Sequence, residues 1–482
     1  MSRLYKPLLV ALAIFVGGQS NASDYLPGEL IIKYKDGTAR TASAMDEFYS
    51  SLNVEAVEYF GESMGDMEHL YLSKDADVEA IAEEIMQDPM VEYAQPNYIL
   101  SIPTEIEPWV SPNAIPCIPG FDIPGCDPNA KFPCLIPGIP FPPGCDDGGG
   151  SPGEPPTNPP GGGDKPDVKP APSEPVPEKQ DPKMTELWGM TKIHAPEAWA
   201  NAKALGNQAP MVVAIIDTGI DYNHDDLLPN MWRKASDNNE TGYDFVHNDN
   251  KPYDDHGHGS HTAGTIGAII KNGVGVAGVA PNVRLMGIKF LSKSGQGSTE
   301  GAVKAIDYAV QNGANILSNS WGGRGDLGNS ALSDAVKRVG EAGRLFVAAA
   351  GNDGKDNDAD SVYPASFPHD TVLAVAATDE TDKMAFFSNY GREKVDVAAP
   401  GVNILSTIKG NDYKKYSGTS MACPHVSGAA ALIWSVRPDL GYLKIKQILM
   451  ETAEVIESQK GKTVSEGRIN VLKALEAAQQ AI

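Results

Sequence analysis

Apolar residues recur along this chain in two rhythms, and one long stretch has neither. Leu30-Ile31-Ile32 begins a strand and Ala44 to Leu52 follows with helical spacing. Strands are expected near Val54–Tyr59 and His69–Leu72. Val78, Ile81 and Ile85 then mark a helix stopped by Asp88-Pro89, and Val91-Glu92-Tyr93-Ala94 closes as a strand. That order, β-α-β-β-α-β, is the split-βαβ, ferredoxin-like arrangement of a small α+β unit over residues 23–100. Residues 101–183 are dense in Pro and Gly and almost free of periodic pattern, so they bury too little to fold as a core. They read as a disordered linker of extended, partly polyproline character. Over residues 184–482 apolar strands alternate with helical patterns: Val212–Ile216, Leu285–Phe290, Ile316–Ser318, Leu345–Ala349, Leu373–Ala376 and Val395–Ala398. Between and after them lie helices at Gly301–Gln311, around Leu332, Val336 and Val339, and at Leu443–Thr452 and Ile469–Ala478. The expected fold class is α/β, a parallel sheet with helices on both faces, and such sheets place their chemistry at strand carboxyl ends.

Charge and termini narrow the setting. A net charge of −24 and a pI near 4.7 argue against nucleic acid or an anionic membrane surface as partner. Residues 1–22 carry a basic start (Arg3, Lys6), an apolar run from Leu8 to Val16 and the small-residue site Ser20-Asn21-Ala22. They read as a signal peptide, cut after Ala22. No other run is long enough to span a bilayer, so the product is expected to be secreted, extracellular or periplasmic, and monomeric. Four of the five cysteines fall in the linker, in two similar blocks that favour Cys117–Cys126 and Cys134–Cys145 disulfides.

The candidate chemistry centres on Gly418-Thr419-Ser420-Met421-Ala422, where a Gly-flanked serine precedes the apolar run Gly428 to Val436. That run reads as a helix with Pro424 in its first turn, so unpaired N–H groups face any negative charge forming at the Ser420 hydroxyl. Ordinary serines at this place cap helices. Asp217 ends the strand Val212–Ile216. A carboxylate at a buried strand exit needs hydrogen bonds, and it serves either as a turn cap or as the holder of an imidazole. His258 lies in a Gly-rich helix start with His256 and His261; no acid–His signature supports metal ligation by these three. Asn352 follows the strand Leu345–Ala349, as a turn residue or as an oxyanion donor. Cys423 reads as a small buried helix residue.

Ile216-Asp217-Thr218-Gly219, His258-Gly259-Ser260-His261-Thr262-Ala263-Gly264 and Gly418-Thr419-Ser420-Met421-Ala422 resemble the three signatures of the subtilisin-like serine proteases. The N-terminal unit is similar to that family's inhibitory propeptides. The resemblance implies an autoprocessed zymogen that hydrolyses protein substrates through an acyl-enzyme and has its own propeptide as intramolecular inhibitor. Ser420 would be the nucleophile, His258 the base, Asp217 its orienter and Asn352 the oxyanion donor. Ser320, Trp321, Gly322, Ala349, Ala350 and Gly351 would line the substrate cleft. Trp321 stands where a smaller apolar residue is usual, which narrows a hydrophobic subsite, and Val362 falls near the floor of the main specificity pocket. Structural Ca2+ is implied at Asp226, Asn272 and the carbonyls of Val274 and Val276, with Met184 near the place of a usual N-terminal Gln ligand. A second site is implied at Asp244 and Asp249, with Tyr253 in place of an expected amide. Two other functions stay open: a silent relative that binds peptides as added strands, and a linker that docks the protein to a surface. The protease reading carries a pH expectation, activity rising through roughly pH 6 to 7.5 as a histidine of ordinary pKa ~6.5 loses its proton.

Overall fold

The computed structural model describes residues 25–36, 41–61, 64, 66–103, 165–172, 178–204, 209–324 and 330–481. Residues 1–22, expected to be a signal peptide, and the four linker cysteines lie outside them. The N-terminal unit runs β1 (Tyr25–Tyr34), α1 (Ala42–Ser51), β2 (Ala56–Tyr59), β3 (Met67–Tyr71), α2 (Val78–Ile85) and β4 (Val91–Ser101), in the expected order. Its strands pair antiparallel in the order β2-β3-β1-β4. One face of β1, through Leu30, Ile32 and Tyr34, packs on α1 and α2. The other, through Ile31, joins a core shared with the large unit.

The large unit continues with α3 (Trp188–Lys192), α4 (Ala195–Ala204), β5 (Met211–Asp217), β6 (Gly242–Asp244), α5 (His258–Gly267), β7 (Val283–Lys289), β8 (Gln296–Ser298), α6 (Thr299–Gln311) and β9 (Ile316–Asn319). Then come β10 (Gly323–Arg324), α7 (Ser330–Glu341), β11 (Leu345–Ala349), β12 (Val362–Tyr363), β13 (Val372–Thr378), β14 (Val397–Pro400), β15 (Ile404–Ile408) and β16 (Asp412–Tyr416). The chain finishes with α8 (Thr419–Val436), α9 (Tyr442–Glu451), β17 (Glu454–Val455), β18 (Gly467–Arg468) and α10 (Val471–Gln480). Nine strands form the main sheet in the order β17-β18-β14-β13-β11-β9-β5-β7-β6, parallel except for the β17–β18 edge. Alternation along β5 sorts its side chains: Val213 and Ile215 pack with α5 and α8, Ala214 and Ile216 with α6 and α7. Most of α8 is apolar, and it is buried along almost its whole length, its polar Ser420, His425 and Ser427 included. Each of its large side chains, such as Leu432 and Ile433, contributes about 2 kcal/mol of burial.

Polar side chains of β4 join the two units. Gln95 accepts from the Ala331 N–H (3.1 Å) and Asn97 from the Glu300 N–H (3.0 Å), so β4 caps the first turns of α7 and α6. Lys33 pairs with Asp334 at 2.6 Å, and Lys304 reaches Glu58. The buried His69 ring lies between Glu29 (3.1 Å) of its own unit and Glu300 (3.2 Å) of the other. Burial works against a charged His69. The two carboxylates outweigh it and hold the pKa up at about 9.

Candidate active site

Strand order reverses between β5 and β9: β7 and β6 follow on one side, β11, β13 and β14 on the other. A crevice opens outside the carboxyl ends at such a reversal. Asp217 is the last residue of β5, and Ser320 directly follows β9. His258 heads α5 and turns Nδ1 to both Asp217 oxygens, at 2.8 and 2.9 Å. The Thr218 N–H also donates to Asp217 (2.7 Å), and both members of the pair are buried. Close approach of α5 to the end of β5 needs Gly259, since a Cβ there would lie 2.0 Å from the Gly219 carbonyl oxygen. His261 has a different task. It is fully buried, stacks on Tyr416 at 4.7 Å and meets the Ile404 carbonyl at 2.8 Å, and burial pushes its pKa down to about 3.

Ser420 sits where a loop enters a helix, as expected, and the position of Pro424 is what differs. The helix begins at Thr419, so Ser420 is its second residue and Pro424 lies inside it rather than in its first turn. Proline cannot donate to the carbonyl four residues back, which is that of Ser420. The Ser320 hydroxyl donates to that oxygen instead (3.0 Å), while the Ser420 hydroxyl donates to the Ser320 carbonyl (3.2 Å). The two serines thus link the head of α8 to the strand-end segment 320–322. Asn352 takes both the N–H (2.9 Å) and the hydroxyl (2.8 Å) of Thr419 on its Oδ1, which orients the amide beside Ser420. Cys423 is buried with Sγ toward the Asn319 carbonyl, and burial pushes its thiol up to about 11, so it is inert at neutral pH.

The cleft already holds a strand. At the end of β4, Ile99, Leu100 and Ser101 pair antiparallel with Ser298, Gly297 and Gln296 of β8. On the other side Ser101 exchanges two backbone bonds with Gly322 (3.0 and 2.9 Å), and the Ile102 N–H donates to Gly295. Leu100 shares a buried cluster with Phe290 and Trp321, whose rings meet edge to face at 4.8 Å. A cavity of about 190 Å³ remains, lined in part by Pro103, Trp321, Ala349, Asn352 and Val362. Continuing the Ser101–Gly322 register sets Pro103 opposite Ser320. That is the next position at which two hydrogen bonds would be exchanged, and proline has no N–H to offer.

The two acidic loops differ. Asp226 is buried, accepts from Asn272 Nδ2 (2.7 Å), the Val276 N–H (2.8 Å) and Tyr413 (3.2 Å), and burial raises its pKa to about 7. Beside it lies Asp181, which accepts from the N–H groups of Lys271, Asn272 and Gly273. Asp181, rather than Met184, is the linker-side residue at this loop. Two carboxylates, the Asn272 amide and the carbonyls of Val274 and Val276 make a hard oxygen donor set, and a buried carboxylate held toward neutrality lacks a counter-charge; the residues fit Ca2+. At the other loop the residues expected to bind calcium meet a cation of the chain itself. Asp244 and Asp249 do come together, but they close on the ammonium of Lys165. Tyr253 packs on Tyr222 instead of joining them. A divalent ion does not fit beside that ammonium.

Three signals escaped the sequence reading. The Ser320 hydroxyl looked like a cleft backbone position only. Asp181 sat three residues before the expected ligand, and Lys165 lay in the segment read as structureless.

The profile of the Subtilase family matches residues 209–472, and that of the Fervidolysin N-terminal prodomain matches residues 14–97. The chain is 40% identical over 289 residues to Thermitase of Thermoactinomyces vulgaris, covering 60% of this chain and 95% of that one. It is 42% identical over 271 residues to Subtilisin DY of Bacillus licheniformis (56% and 92%). With the Thermophilic serine proteinase of Bacillus sp. (strain AK1) the identity is 40% over 288 residues, and the chain spans 66% of that protein's length. The chain belongs to the subtilase family of serine endopeptidases and carries an N-terminal prodomain. No helix among the described residues is long and apolar enough to cross a membrane.

Proposed function

We propose that the protein is a secreted endopeptidase made as a zymogen, with Ser420 as nucleophile, His258 as general base, Asp217 as its orienter and Asn352 as oxyanion donor. The single observation that carries the zymogen reading is the strand Ile99–Ile102, lying in the cleft with its backbone paired on both sides. In catalysis a substrate would take that strand's place, along the carbonyl of Gly295 and both main-chain groups of Gly322. Ser420 Oγ would leave the Ser320 carbonyl and attack the peptide carbonyl while His258 takes its proton. Asp217 supports that step because its two oxygens hold Nδ1, which leaves Nε2 as the basic nitrogen. The Asn352 amide nitrogen and the N–H groups at the head of α8 would meet the oxyanion. The imidazolium would then protonate the leaving amine, and water would release the acyl group by the same base.

Trp321 and Val362 narrow the cleft, so the substrates proposed are proteins presenting small or medium apolar side chains to it. Asp181, Asp226, Asn272 and the carbonyls of Val274 and Val276 would hold one Ca2+, whose charge would stabilise the loop. Pro103 lacks the N–H that would anchor a reacting residue at Ser320, so the processing cut is assigned downstream of it, toward the linker. The silent-binder reading has no observation in its favour, since the His258–Asp217 pair and the Asn352–Thr419 contact are both in place.

The test is casein hydrolysis by wild type beside Ser420→Ala, with intact-mass spectrometry. Wild type should digest casein and lose its N-terminal unit, and Ser420→Ala should stay whole and inert. Equal casein digestion by both would sink the assignment.

A further inference from the structure

Lys165 belongs to the Pro-rich segment, yet its side chain is mostly buried, between a fully buried Asp244 and a partly exposed Asp249. Its Nζ lies 2.6 Å from Asp244 Oδ2, 3.0 Å from Asp249 Oδ1 and 2.8 Å from Asp249 Oδ2. An ammonium has three protons to donate, and here it has three acceptors. Asp244 is fully buried, with the Val246 and His247 N–H groups on its other oxygen and the His247 ring at 2.9 Å. A carboxylate so placed needs a cation, since unpaired buried charge costs several kcal/mol.

The chain after Lys165 is stitched down as well. The Tyr222 hydroxyl donates to the Pro166 carbonyl (2.6 Å), and Asn223 both donates to the Asp167 carbonyl and accepts from the Lys169 N–H (2.8 Å each). Arg233 donates to the Lys169 carbonyl (2.7 Å), and Val168 packs on the main core.

We propose that the Asp244–Asp249 pair is a cation site which this chain fills with its own Lys165 ammonium in place of a metal. The loop then holds its shape without calcium, and residues 165–172 remain on the large unit as a permanent strap when the prodomain leaves. Unlike a dissociable ion, this cation is tethered by the chain, so dilution or a chelator does not remove it. The exchange of metal for ammonium concerns charge and packing only and holds whether or not the protease assignment does, while the strap's persistence after prodomain release rests on the proposed processing.

The experiment uses the full chain carrying Ser420→Ala, to prevent digestion, with and without Lys165→Met, which keeps the aliphatic stem. Bound calcium is counted after equilibrium dialysis, and Tm is read in EDTA and in millimolar calcium. The expected result is that Lys165→Met binds one calcium more than its parent. Its Tm in EDTA should fall by roughly 5 °C or more, and calcium should restore much of it. Equal calcium counts and equal Tm in the two proteins would overturn the proposal. Should Lys165→Met fail to fold, Asp249→Asn in the parent decides. An unchanged calcium count supports the ammonium, and the loss of one calcium overturns it.

Discussion

Two extended segments, one at the start of the linker and one near its end, both lie on the large unit, but they are held by unlike means. The tail Ile99–Ile102 is held mainly through its backbone, as a strand between β8 and Gly322. The strap 165–172 is held mainly by side chains: the Lys165 ammonium, the Asn223 amide, the Arg233 guanidinium and the Tyr222 hydroxyl. A backbone ladder accepts any segment with N–H and C=O groups in register, so what it binds can be exchanged for substrate. The strap's main-chain atoms also take Tyr222, Asn223 and Arg233, but the Lys165 ammonium between two carboxylates and Val168 in the core fix which sequence lies there. The contrast teaches that the same unit keeps a replaceable strand on one surface and a fixed one on another.

The largest effect should come from Ser420→Ala, which removes the means of parting tail from strap. Casein hydrolysis should fall by about 10⁴-fold or more, and intact mass should show both segments in one chain. Asn352→Ala should lower kcat by about 10²–10³-fold, the scale set by subtilisin, with a much smaller change in KM in steady-state assays.

The next effect separates the segments by pH. His69 keeps Glu29 in the free prodomain and gains Glu300 on docking, so the docked ring, with a pKa of about 9, holds its proton more tightly, and that contribution to docking is lost as pH rises through 9. Prodomain inhibition should therefore weaken as pH rises from 7 to 10. Hydrogen exchange in the strap should be unaltered over that range once corrected for intrinsic rate. A pH-independent inhibition constant would count against the Glu29–His69–Glu300 bridge.

Gln95→Ala removes a cap worth about 1 kcal/mol and should weaken inhibition by roughly fivefold, read from prodomain titration, without moving strap exchange. The smallest change is expected from Asn223→Ala. Amides at 167–169 should exchange faster while inhibition stays the same. Faster exchange in the tail as well would erase the distinction between the two segments.

Much of this was legible in the chain because it rests on local pattern. The apolar run into Asp217 gives β5, and the Gly-rich signatures around His258 and Ser420 mark the heads of α5 and α8. The start of α8 was misplaced because Pro424 suits a first turn, whereas the fold accepts it inside the helix by giving Ser420's carbonyl another donor. The Lys165 pair was illegible for a different reason. Its partners lie 79 and 84 residues away, and a lysine among prolines carries no periodicity to announce a buried position. Asp181 and the Gln95 and Asn97 caps share this character, since each is a polar contact made only after two units meet.

Pro424 has one more consequence. Replacing it with alanine would restore a helical N–H donor and improve helix propensity, but that donor would compete with Ser320 for the Ser420 carbonyl. Selection for heat resistance alone would favour the replacement, and selection for turnover would oppose it. The proline marks a place where this enzyme is less stable than its own helix allows, and a laboratory search for hardier variants should find it early and regret it.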